Sequence, residues 1–344
     1  MTANAIVTPH DTPPAAGEAT QIAPGVLWVR LPLPMALDHV NIYAFDDGDA
    51  GWTIVDTGMD SRRTRALWQT LIDGPLGGRR VHQVVVTHHH PDHVGLAGWF
   101  VAQGARLMMP RTGWLLTRML TLDEQPSLSP EAAAFYHRAG MPPAMLAERR
   151  TQRPFNFCDC VAPLPQGYHR LQEGDMVTFG GRRWDVRMGH GHAPEHATFW
   201  SRDDDLVIGG DQLLLSISPN LGVYPTEPAA DPVGEWLRSC AAFQPFADET
   251  HLVLGGHKLP YRGLPRRLDQ MMLNHEEALD RLHAGLGRPR SAVECFPLLF
   301  KRSIGPAEYG LALAEAVAHL NHLSQTGRAI ETVTPDGVAR YTRA

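Results

Sequence analysis

The chain carries 18 histidines in 344 residues, and five ionisable side chains crowd into one short run, THHHPDH at 87–93. QVVVT at 83–87 leads into that run as a continuous apolar stretch, the pattern of a strand buried on both faces. His88 and His90 lie two apart in extended chain, so their side chains leave the same face, while His89 is out of phase with them. Asp92 and His93 follow where the pattern turns helical in VGLAGWF, and they can face the same cavity from its other side. Neutral imidazoles and a carboxylate are the donors that a borderline divalent cation such as Zn²⁺ prefers. Two such cations within ~4 Å of each other make a hydrolytic arrangement.

Three further donors stand just beyond apolar strand patterns. His192 lies in GHGHAPEH after RRWDVRM, Asp211 in VIGGDQ and His257 in LVLGGHK. If the strand ends converge on one rim, seven residues gather there: His88, His90, Asp92, His93, His192, Asp211 and His257. His190 and His196 compete with His192 for its place, and Asp203, Asp204 and Asp205 compete with Asp211, although that triplet reads as a solvated turn.

The elements that must position these groups are short strands joined by tight turns. VLWVRLP (26–32), VNIYAF (40–45) and WTIVDTG (52–58) have strand composition, and SRRTRALWQTLIDG (61–74) reads as a helix closed by Gly74. Strands resume at 175–180, 182–188, 196–200, 205–210 and 251–256. Between them, residues 111–170 form a helical insertion rich in Pro and Met, with Ser129 as an N-cap ahead of Pro130. Its Trp114, Met119, Phe135, Tyr136, Met141 and Met145 are either local core or the wall of an apolar pocket. Residues 1–22 read as a flexible tail, 23–260 as the main domain and 261–344 as a third unit. In that unit, helical periodicities (Leu268, Met271, His275, Leu279, Leu282; Leu313, Val317, Leu320) precede a hairpin around Pro335-Asp336-Gly337, which resembles a small winged-helix module.

The His-x-His-x-Asp-His run, with His192, Asp211 and His257 in that order and Asp56-Thr57-Gly58 upstream, resembles the metallo-β-lactamase superfamily over residues 23–260. The resemblance implies an α+β fold, an αββα sandwich with a dinuclear metal site at one edge. It implies that His88, His90 and His192 hold one ion, that Asp92, His93 and His257 hold the other, and that Asp211 bridges both along with a hydroxide. The ions are two divalent metals, zinc favoured, with iron or manganese acceptable. Asp211 and Asp92 are the catalytic candidates; Asp56, His196, Asn220 and Tyr224 are candidates for orienting ligands or touching substrate, as is Ser218. The C-terminal helices make the chain similar to the glyoxalase II-like and lactamase-beta-2-like branches. The Gly-His-Gly-Pro pattern of the latter is replaced here by Gly256-His257-Lys258-Leu259-Pro260, which weakens any carry-over of ribonuclease activity.

These readings imply a hydrolase acting on an ester, thioester or lactone carbonyl of a small molecule. The alternatives are a phosphodiesterase or ribonuclease, and a non-catalytic metal-binding or di-iron redox protein. A net charge of −6 does not favour a nucleic-acid partner. The basic run Arg262, Arg266, Arg267 is either a solvated helix start or a reader of anionic substrate. Four cysteines are too few for a disulfide framework, and Cys158 and Cys160 read as free thiols. No apolar stretch or leader pattern points to a membrane or to secretion, so the expected location is cytoplasmic, with a homodimer allowed.

Overall fold

The computed structural model describes residues 5–300 and 302–344, so residues 1–4 of the expected tail lie outside the described residues. One sheet holds seven strands in chain order: β1 (Ala19–Ala23), β2 (Val26–Pro32), β3 (His39–Asp46), β4 (Trp52–Val55), β5 (Val81–Val85), β6 (Arg106–Pro110) and β7 (His169–Leu171). It is antiparallel from β1 to β4 and parallel from β4 to β7. A second sheet runs in the order β12, β11, β10, β9, β8, from β8 (Met176–Phe179), β9 (Arg182–Gly189), β10 (His196–Ser201), β11 (Leu206–Gly210) and β12 (Leu252–Gly255). The helices are α1 (Arg62–Asp73), α2 (Pro91–Val94), α3 (Ala97–Ala102), α4 (Arg111–Leu122), α5 (Pro130–Arg138), α6 (Pro143–Arg150), α7 (Pro232–Phe243), α8 (Leu264–Gly285), α9 (Phe296–Leu299) and α10 (Tyr309–Gln325). A hairpin of β13 (Ala329–Val333) and β14 (Ala339–Arg343) follows them.

Period-two alternation sorts the strand residues into three cores, which is what stacks four layers. Trp28, Tyr43, Phe45 and Val85 point inward against Trp184, Phe199, Ile208 and Leu254 of the opposite sheet. Their neighbours Val29, Ile42, Ala44 and Val84 point outward and meet Trp68, Leu71 and Phe100 of α1 and α3. On the other side Trp200, Val207 and Val253 meet Trp236, Leu268 and Leu313 of α7, α8 and α10. The result is the αββα sandwich, with the C-terminal helices serving as its second outer layer.

The Ser129 cap stands where expected, and Ser61 adds a second. The Ser61 and Ser129 hydroxyls cap α1 and α5, accepting from Thr64 N at 3.0 Å and Ala132 N at 3.1 Å. Three elements carry weaker signals. β1 begins inside the stretch read as a tail, because the Gly25 turn (φ 69°) folds ATQIA back on β2 while only Ile22 becomes buried. β6 is RLMMP, with no β-branched residue to mark it, yet it sits between β5 and β7. α7 starts at a plain N-cap, Asp231 Oδ1 accepting from Gly234 N at 2.9 Å, followed by Pro232. Among the described residues no helix is long and apolar enough to cross a membrane.

Candidate metal centre

The donors of the expected set sit just beyond strand ends or on the short helix that follows one of them. β5 delivers Thr87 to His90, and α2 turns Asp92 and His93 back over them. β9 leads to His192, β11 to Asp211 and β12 to His257. Three groups of donor atoms come within 4.8 Å of one another: His88, His90 and His192; His88, His93 and Asp211; and Asp92, His93 and His257. Asp211 spans the cluster, with Oδ2 at 3.4 Å from His192 Nε2 and 3.2 Å from His257 Nε2, and Oδ1 at 3.4 Å from His93 Nε2. Asp92 Oδ2 lies 3.4 Å from His257 Nε2 and 3.5 Å from His93 Nε2.

The surroundings decide which ring nitrogen faces inward. Thr87 Oγ1 donates to Asp56 Oδ2 (2.9 Å) and lies 2.9 Å from His88 Nδ1, so that nitrogen carries the proton. His93 Nδ1 meets Asp56 Oδ2 at 2.7 Å, His192 Nδ1 meets Asn220 O at 2.9 Å, and His257 Nδ1 meets His39 O at 2.7 Å. Four imidazoles therefore turn Nε2 toward one space. His90 alone turns Nδ1 there, 3.0 Å from both His88 Nε2 and His192 Nε2. His93 Nε2 and Asp211 Oδ1 are buried with no hydrogen-bond partner. Converging lone pairs and orphaned donors are costly in a protein interior unless a cation satisfies them, so the residues present fit a pair of divalent ions.

Charge follows the same geometry. Burial, then neighbouring imidazoles, push His88 and His90 well below the usual histidine range, which keeps them neutral as ligands must be. Burial also opposes charge on His93 and His257. There Asp211 and Asp92 outweigh it, holding His93 well above its ordinary value and His257 up to about 10. Burial likewise works against the Asp92 and Asp211 carboxylates, and the His93 and His257 rings keep both below the ordinary carboxylate range.

The remaining candidates have plain positions. Asp56 (φ 63°, 2% exposed) lies under the cluster and joins the Thr87 amide, the Thr87 hydroxyl and His93. His196 accepts from Asp211 N at 3.0 Å and is pushed down to about 3 by burial. His190 is turned to Pro194 O, and Asp203, Asp204 and Asp205 pair with Arg183, Arg182 and Arg262, so none of these competitors enters the cluster. Asn220 gives its carbonyl to His192 and its amide to Glu315 Oε2 (2.9 Å) and Leu311 O (3.3 Å) of α10. Tyr224 lies on an open cavity with Tyr136. Cys158 and Cys160 are free and enter none of the donor groups. Arg267 is buried and donates to Leu214 O and Ile217 O, holding the loop after Asp211 rather than facing solvent. In the insertion, Phe135 and Met141 are core, whereas Met119 is exposed and Trp114 stacks on Tyr168 at 4.7 Å.

Sequence reasoning missed the β3 contribution. His39, Asn41 and Tyr43 alternate along one face: His39 carries His257, and the Asn41 amide and Tyr43 hydroxyl each reach Gly255 O at 2.9 Å. Polar and aromatic residues at every second position of an otherwise apolar strand were the available signal. Lys258 occupies left-handed backbone (φ 66°), held by His39 Nε2 on its amide and by Arg30 and Asn41 on its carbonyl. Gly256 is required by space, since a Cβ there would meet Asp211 Oδ1 at 2.2 Å.

Asp56→Asn keeps the shape but removes the acceptor that sets His93 and, through Thr87, His88. The expected result is a ~10- to 100-fold loss of metal affinity with the fold intact, read by competition with a chromogenic chelator; unchanged affinity would contradict the orienting role.

Comparison with known proteins agrees with this geometry. Residues 35–263 match the family described as Metallo-beta-lactamase superfamily, and residues 279–344 match Metallo-beta-lactamase-like, C-terminal domain. The chain is similar to the probable metallo-hydrolase YqjP of Bacillus subtilis, 26% identical over 315 residues that cover 87% of this chain and 92% of that protein. Among solved structures it resembles a beta-lactamase domain protein from Burkholderia ambifaria (TM-score 0.90, 38% identity, 98% of each chain covered). It also resembles a metallo-beta-lactamase family protein from Thermus thermophilus (TM-score 0.79, 27% identity, 94% of this chain and 100% of that one).

Proposed function

The chain belongs to the metallo-β-lactamase superfamily, and from that premise we propose that it is a dinuclear metal-dependent hydrolase of small esters, thioesters or lactones. The observation that carries the reading is the inward turn of His88, His90, His93, His192 and His257 around two carboxylates, each of four rings fixed by an acceptor on its other nitrogen. His88, His90 and His192 would hold one ion, Asp92, His93 and His257 the other, and Asp211 reaches both groups. Divalent ions bound there, zinc in the simplest case, lower the pKa of water toward neutrality and draw charge from a carbonyl oxygen.

The chain's own residues do the positioning. The backbone of Asp211 is held from behind by the hydrogen bond its amide donates to His196, which fixes the point from which its carboxylate reaches the cluster. The Asp92 side chain is 18% exposed against 7% for Asp211. Its Oδ2 faces His93 and His257, where it would complete the donor set of the second ion. The reading includes a cytoplasmic location, supported by four free thiols, one of them exposed.

A panel of aryl ester, acyl thioester, acyl lactone, β-lactam and phosphodiester, run on protein of measured metal content, tests it. We expect turnover of the first three classes above the last two. Turnover confined to the phosphodiester, or none at all, would overturn the substrate class.

A further inference from the structure

A cavity of about 260 Å³ opens where three separate segments meet: Tyr136 and Arg149 of the insertion, Val223 and Tyr224 from the loop after Asp211, and Leu311 and Ala314 of α10. Its walls are aromatic and aliphatic, and its cation is Arg149. The guanidinium lies over two tyrosine rings, 5.5 Å from the centroid of Tyr136 and 6.0 Å from that of Tyr309. Among the described residues Arg149 forms no ion pair, unlike Arg138, Arg153, Arg182, Arg183, Arg202 and Arg262, which all have acidic partners. Glu315, one residue beyond Ala314, is committed to the Asn220 amide at 2.9 Å. The cavity therefore has a preset cation and apolar sides, the makings of a site for an oxyanion on an apolar stem.

The cavity is joined to the metal-ligand cluster by two contacts. Leu311 O accepts from the Asn220 amide, and Asn220 O accepts from the His192 ring. We propose that this cavity is a substrate subsite that selects a carboxylate or phosphate carried on an apolar stem, with Arg149 as the residue that determines specificity. The assignment of the bound molecule as substrate rests on the hydrolase reading above; the binding itself does not.

The test titrates metal-loaded full-length protein by calorimetry with hexanoate, hexyl phosphate and neutral hexanamide. Any binding of anions at the metals is common to wild type and variant and cancels in the comparison. We expect at least one of the two anions to bind about tenfold tighter than hexanamide or better. Arg149→Gln should remove that advantage while changing hexanamide less than twofold, and Arg150→Gln, the exposed neighbour, should leave it in place. If Arg149→Gln does not fold, Arg149→Lys should retain the charge, lose the two-pronged contact and weaken the anion severalfold. Anions binding no tighter than hexanamide, an advantage undiminished by the Arg149 substitution, or its loss in Arg150→Gln would each overturn the proposal. The hexanoate and hexyl phosphate arms distinguish the two head groups. An absence of turnover on every ester in the same preparation would strike the hydrolase reading and leave this result standing.

Discussion

Asp211→Asn is expected to lower hydrolytic turnover by about 10³-fold or more while the melting temperature of the metal-loaded protein stays within a few degrees. The size follows from position. Among the described residues Asp211 is the one side chain within 3.4 Å of His93, His192 and His257 together, so neutralising it removes a full charge from between both donor groups. The fold should survive because its amide, not its carboxylate, makes the bond to His196, and β11 is held by β10 and β12 whatever the side chain. Turnover within threefold of wild type would show that the bridging position has been assigned to the wrong residue.

The second large effect is a coupling of metal uptake to protons and to stability. His257 is held up to about 10, so at neutral pH its ring is protonated and cannot offer a lone pair. Metal uptake must displace that proton, and likewise the one on His93. The sign follows: loading releases protons, and affinity rises as pH rises toward about 10 and weakens on acidification. A cation that binds only the folded cluster adds about 4 kcal/mol of stability when its free concentration is a thousand times Kd. Calorimetric titration with Zn²⁺ in buffers of different ionisation enthalpy should show net proton release and a higher melting temperature. Proton uptake, or a melting temperature indifferent to metal, would contradict the account.

Asp211 and His257 were readable because each follows an apolar strand that ends in small residues. VIGG before Asp211 and LVLGG before His257 announce where a strand stops and a side chain can turn into a loop. The groups that orient those donors were harder to read. His192 is set by the backbone carbonyl of Asn220 and His257 by that of His39, and every residue has a carbonyl, so no residue type marks the role. Distance in the chain adds to this: His39 and His257 are 218 residues apart. Helix α1 was legible through its closing Gly74 and α5 through its Ser129 cap, whereas β6 was not, because Leu107, Met108 and Met109 are as common in buried helices as in strands. The cavity under Arg149 is a third kind of case. Its walls come from the insertion, a loop and the C-terminal helix, and only tertiary packing brings the Arg149 guanidinium over Tyr136 and Tyr309.

Elemental analysis of purified protein before and after His88→Ala tests the central claim most directly. His88 is grouped with His90 and His192, the residues assigned to one of the two ions, so its loss should empty that position. The account predicts close to two divalent equivalents per chain in wild type and one or fewer in the variant, with folding preserved. Well under one equivalent in fully folded wild type, unchanged by His88→Ala, would contradict it.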